Sequence, residues 1–238
     1  MQARAGYLAA LGLIDWRQRQ ALAVAVAATS PQVIPAVFGQ SPRSIAPESA
    51  VADHWDAVAG EVAGCTRCEL HRCRTRTVFG VGDRAASWLV VGEAPGADED
   101  RQGEPFVGRA GQLLNSMLLG IGLAREQVFI ANVLKCRPPN NRDPKPEEVA
   151  QCLPYLERQI ALLRPKIMLA VGRIAAQNLL ATDTPIGKLR GHVHAFGTQR
   201  IPLVVTYHPA YLLRSPTEKR KAWEDLKFAR RVAAGGRP

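Results

Sequence analysis

Four cysteines and three isolated polar residues give this chain its chemical character. Two residues separate Cys65 from Cys68, 67 separate Cys68 from Cys136, and 15 separate Cys136 from Cys152. Thiolates supplied at that spacing can hold a zinc ion or an iron–sulfur cluster. Either would tie the start of a domain to its middle. A fifth cysteine, Cys73, makes the count odd. An odd count argues against a closed disulfide framework and for metal binding in a reducing cytosol, with Cys73 as a bystander.

The polar residues lie between and beyond the thiols. Glu93 stands in Gly92-Glu93-Ala94-Pro95-Gly96, where flanking glycines let a ligand approach the backbone and the proline stiffens the turn. A carboxylate there can orient or activate a water; alone, the motif equally describes a surface loop. The acidic run Asp98-Glu99-Asp100 reads as a solvated turn. Phe106 follows in a loop flanked by Pro105 and Gly108, outside any periodic apolar segment. An aromatic so placed either stacks on a planar ligand or anchors the loop in the core. Asn132 interrupts the apolar run at 129–134 and must find hydrogen-bond partners, which a nucleobase edge or a neighbouring loop can supply. His208 precedes Pro209, and an imidazole N–H can stabilise charge on a leaving group. Leu212 and Leu213 beside Arg214 suit a wedge into a duplex with a phosphate contact, or simply the start of an amphipathic helix. His54, His71, His192 and His194 are read as structural.

These residues need a frame. Apolar runs at 88–91, 128–134, 166–171 and 201–206 predict strands. Helical spacing predicts helices over 110–121, from Pro146 to about 163, from 173 through 180, and around 219–232. Alternation of this kind specifies an α/β fold, a central parallel sheet flanked by helices on both faces. Ligands of such sheets bind beyond the carboxyl ends of the strands, and Glu93, Asn132 and His208 all fall there.

The chain carries 31 Lys and Arg against 21 Asp and Glu, a formal charge of +10, with eight of the basic residues between 214 and 238. That surplus favours a polyanionic partner such as nucleic acid. No apolar run approaches the roughly 20 residues needed to span a bilayer, and the eight-residue stretch 21–28 is too short and too far from the start for a secretion signal. The expected location is cytoplasmic, with no membrane contact. Residues 1–57 read as an extension, a short amphipathic helix over 1–16 followed by a Pro-rich linker at 29–50, either docking a protein partner or forming a tail. The main domain is placed at 58–238.

Taken in order, Cys65-x-x-Cys68, GEAPGADEDRQGEPFVGRAGQLLN, ANVLKCRPPNNR, Cys152 and TYHPAYLLR resemble the family 4 uracil-DNA glycosylases, the iron–sulfur type of bacteria and archaea. The likeness covers about residues 58–228. It implies a [4Fe-4S] cluster on Cys65, Cys68, Cys136 and Cys152, and a nucleoid-associated monomer that flips uracil from DNA and hydrolyses its N-glycosidic bond, leaving an abasic site. It further implies Glu93 as the water-positioning carboxylate, Gly92 and Ala94 as backbone contacts to uracil, Phe106 as the stacking aromatic, Asn132 as the amide reading the base edge, and His208 as the support of the departing pyrimidine. Three rivals are a DNA-binding module without hydrolysis, an electron carrier, and a relative that traps DNA covalently. The intact polar set argues against the first and the +10 charge against the second. The third carries a histidine in a basic insert after the Asn-containing strand, and residues 137–146 contain none.

Overall fold

A computed structural model describes residues 54–236. The expected helix over 1–16 and the linker at 29–50 lie outside the described residues. The described part begins with helix α1, Trp55–Ala63, which runs across the expected boundary at 57/58.

Six strands form one sheet: β1 (Val81–Gly82), β2 (Trp88–Gly92), β3 (Phe129–Asn132), β4 (Ile167–Val171), β5 (Val193–Phe196) and β6 (Ile201–Thr206). Their spatial order is β1-β3-β2-β4-β6-β5. The central four, β3, β2, β4 and β6, are parallel. Every residue of β2, β3 and β4 is buried, as expected of strands covered on both faces. Both edges are antiparallel, β1 against β3 and β5 against β6. The sequence reading missed these two strands. β1 is two residues long, and β5 is only partly buried and so lacks an unbroken apolar run.

Alternation along the strands divides the core in two. Leu89, Val91, Ala131, Met168, Ala170 and Val205 face one way, with α1 and the long helix α4 (Pro146–Leu163) packed over them. Trp88, Val90, Ile130, Leu169, Val171 and Val204 face the other, under α3 (Arg109–Gly120) and α8 (Lys219–Ala233). Between these lie the short helices α2 (Ala97–Gln102), α5 (Arg173–Leu180), α6 (Ile186–Leu189) and α7 (Pro209–Arg214). From α3, Leu114 and Leu118 are fully buried, each contributing about 1.5–3 kcal/mol.

Helix α4 starts where Pro146 needs no amide partner. Glu148 accepts from the Lys145 N–H at 2.9 Å and from both Arg142 terminal nitrogens, at 2.5 and 2.8 Å. Cys152 follows in the second turn of the same helix and is buried. Among the described residues no helix is long and apolar enough to cross a membrane.

Candidate active site

The parallel register sets Gly92 at the end of β2 beside Asn132 at the end of β3. A methyl group built on Gly92 would lie 2.3 Å from Asn132 Oδ1 and 2.7 Å from Phe106 Cζ. Only glycine lets amide, ring and backbone meet there. Asn132 is 2% exposed, and its Oδ1 is the one buried side-chain oxygen among the described residues with no hydrogen-bond partner.

Phe106 is buried, with φ 54°, a left-handed conformation costly for an aromatic residue. Two clamps hold it. Arg125 donates to the Phe106 carbonyl at 3.2 Å and to the Pro105 carbonyl at 2.6 Å. Glu99 accepts from the Val107 and Gly108 N–H groups at 3.0 and 3.3 Å, and from Gly96 N–H at 3.1 Å. So held, the ring stacks on His208 with centroids 5.6 Å apart and planes 30° apart.

His208 follows β6 and caps α7. Its Nδ1 accepts from the Ala210 N–H at 3.1 Å, so in the neutral ring the proton sits on Nε2. Burial, with Arg214 adding to it, lowers its pKa to about 4, Glu99 opposing. The imidazole is therefore neutral at physiological pH and can donate only from Nε2. It leans on Gly172 just after β4, whose φ of +100° disfavours any side chain and where an added methyl would lie 3.0 Å from His208 Cβ.

Glu93 bends away after β2, its carbonyl held by the Leu134 N–H at 3.0 Å. Burial raises its pKa to about 7, Asp143 adds to the rise, and Arg173 opposes it. Asp143 and Arg173 are themselves paired at 2.6 Å. Ala94 packs, partly buried, against the core.

Direct contacts thus link Gly92, Asn132, Phe106 and His208, with Glu93 next along the chain. Two expectations need correction. Leu212 is 1% exposed and belongs to the core under α3 and α8, so it is not available to enter a duplex. Leu213 and Arg214 are exposed. The acidic run is not a solvated turn either. Asp100 is buried and accepts from the Thr75 N–H at 2.9 Å, while Glu99 clamps the Phe106 loop. Glu99, Arg125, Asp143 and Arg173 went unassigned because each acts on a partner that only the fold brings near.

The four expected thiols, Cys65, Cys68, Cys136 and Cys152, line a single cavity together with Arg74, Lys135 and Tyr155. Cys73 is exposed and donates to the Leu70 carbonyl. Burial raises the pKa of Cys68 and Cys136, and takes Cys152 to about 11. Two donors work against that rise: Arg74 reaches Cys136 Sγ at 3.1 Å, and the Lys135 N–H reaches Cys152 Sγ at 3.2 Å. N–H groups aimed at sulfur suit thiolate ligands. Among the described residues no three His, Cys, Asp or Glu side chains are grouped closely enough to hold one metal ion.

Residues 79–227 match the family model of the uracil DNA glycosylase superfamily. A type-4 uracil-DNA glycosylase of Archaeoglobus fulgidus is 47% identical over 178 residues, covering 72% of this chain and 89% of that protein. One from Thermotoga maritima is 41% identical over 179 residues, covering 74% and 92%. A type-5 uracil-DNA glycosylase of Thermus thermophilus is 36% identical over a shorter 121 residues, covering 44% and 55%.

Proposed function

The chain belongs to the uracil DNA glycosylase superfamily, within it to the type-4 enzymes, and from that premise we propose how its pocket does the work. The protein is a DNA repair glycosylase. It excises uracil from DNA by hydrolysing the bond between the base and the sugar, and leaves an abasic site.

One observation carries the reading of the pocket: the buried, unpartnered Oδ1 of Asn132 between Gly92 and Phe106. A buried acceptor needs a donor. Uracil presents N3–H as donor flanked by O4 as acceptor, matching the two ends of a carboxamide. Cytosine reverses both, with an acceptor at N3 and an amino donor at C4. The amide therefore selects uracil over cytosine by leaving buried groups unpaired in the wrong complex. The base is extruded from the duplex to reach it, at a cost of a few kcal/mol. Phe106 supplies a stacking face, Gly92 and Ala94 supply backbone approach, and Leu213 with Arg214 holds the opened duplex and its phosphate.

The C1′–N1 bond breaks first, leaving an oxocarbenium-like sugar and a uracil anion. Neutral His208 donates from Nε2 to the anionic oxygen. Glu93, ionised, favours the cationic sugar and holds the water whose oxygen adds to C1′, taking up the water's proton. The four thiolates of Cys65, Cys68, Cys136 and Cys152 would hold a [4Fe-4S] cluster. Four thiols lining one cavity, with N–H donors on Cys136 and Cys152, suit such a cluster. Its role is structural, tying the loop at Cys65 to the segment after β3 and to α4. The catalytic domain is assigned to residues 58–238 with 1–57 as an extension available to a protein partner. The enzyme acts as a monomer on DNA in the cytoplasm.

Incubation with a uracil-containing oligonucleotide followed by alkaline cleavage tests the reading. Cutting is expected at uracil and not at cytosine. His208→Ala should lower the single-turnover rate by about 10²–10³, the worth of one preorganised donor. Equal cutting of both bases, or a full rate without His208, would sink it.

A further inference from the structure

Lys135 stands between the base pocket and the thiol cradle, and its side chain is sealed from solvent at 1% exposure. Nζ donates to the Asn132 backbone carbonyl at 2.9 Å and to Gln159 Oε1 at 2.7 Å. The backbone N–H of the same residue donates to Cys152 Sγ at 3.2 Å. Gln159, fully buried, donates in turn to the Phe79 carbonyl at 2.9 Å. Both acceptors of the ammonium are neutral, and among the described residues no carboxylate pairs with it. A buried cation without an anion is strongly disfavoured. Lys135 also lines the thiol cradle, where Arg74 sits on Cys136 Sγ, and the sulfurs there would carry negative charge once they held a cluster.

We propose that Lys135 is a positioning residue that joins the two sites: its ammonium holds Asn132 in place for the base edge and offsets the negative charge of the thiolate-bound group in the cradle. This rests on the reading of Asn132 as the base-reading amide and of the four cysteines as cluster ligands. A lysine that merely fills core space would be replaceable by an apolar side chain of equal length with neither site affected.

The test compares iron-loaded wild type with Lys135→Met. The two readouts are inhibition by free uracil and the midpoint potential of the cluster, the latter used only as a gauge of local charge. Loss of the ammonium should raise the inhibition constant for uracil at least about fivefold, the factor carried by one hydrogen bond of ordinary strength. It should also lower the midpoint potential, since a nearby cation favours the more negative reduced form. If either readout is unchanged in the variant, the proposal is overturned. Gln159→Glu keeps the shape of the amide and gives the ammonium an anionic partner, at the loss of the bond donated to the Phe79 carbonyl, so the test survives should Lys135→Met fail to fold or load iron. Here the potential should fall while uracil inhibition stays at the wild-type value, and an unchanged potential overturns the charge role. A wild type that free uracil does not inhibit, or that holds no iron, removes the premise itself. A normal wild type with unaltered variants refutes Lys135 alone.

Discussion

An amide oxygen buried without a donor costs about 1–3 kcal/mol unless a ligand supplies the missing proton. Asn132 bears that cost at the end of a strand whose other positions are apolar, which is how its type and place marked it in the sequence. Two further residues have protonation states that burial sets in opposite directions. His208 is held neutral by a pKa of about 4, so it does not titrate where the enzyme works. Glu93, raised to about 7, does. An acid with a raised pKa is ionised mainly above that value, and in the role proposed for Glu93 the ionised form is the one that holds water and favours the cationic sugar. The single-turnover rate is therefore expected to climb about tenfold per pH unit below 7 and to level off above it. Glu93→Gln should be at least about tenfold slower at pH 8 and should flatten the profile. A wild-type rate flat from pH 5 to 8, or a Gln variant with the same inflection, would remove Glu93 from its role.

At the scale of elements, helix α7 divides its labour. Leu212 points into the core and Leu213 and Arg214 face out. The sequence placed all three together because adjacent leucines carry no sign of which side the helix will bury. Only the packing of α3 and α8 resolves it. Leu212→Ala is expected to cost about 2–5 kcal/mol of stability, seen as a lower melting temperature, with ss and ds substrates affected alike. Leu213→Ala should leave melting within a degree or two and lower kcat/KM on duplex at least about fivefold more than on single strands. Equal losses on the two substrates would deny it a wedge role. The strands and long helices were legible for the opposite reason: unbroken apolar runs and a Pro146 start are local properties. The edge strands β1 and β5 were not, being short or half-exposed and defined by their neighbours.

Over the whole molecule, the thiol cradle draws on α1's trailing loop, the segment after β3 and the second turn of α4, so its loss should loosen one flank of the proposed base pocket. Cys152→Ser is expected to lose the visible absorbance near about 400 nm and most bound iron, to melt at lower temperature, and to excise uracil more slowly. Full iron content in that variant would remove Cys152 from the ligand set. What the sequence determined by itself was the set of candidate thiol and polar side chains, their order, and the strands at whose ends the polar ones sit, because residue type and apolar period are written along the chain. What the tertiary structure alone decided was which groups lose water. Glu99 became a loop clamp and Asp100 a buried tie, Phe106 was turned onto His208, Leu212 went inside, and Lys135 was sealed between two sites. Burial and hydrogen-bond partnership depend on segments far apart in the chain, and no local pattern encodes them.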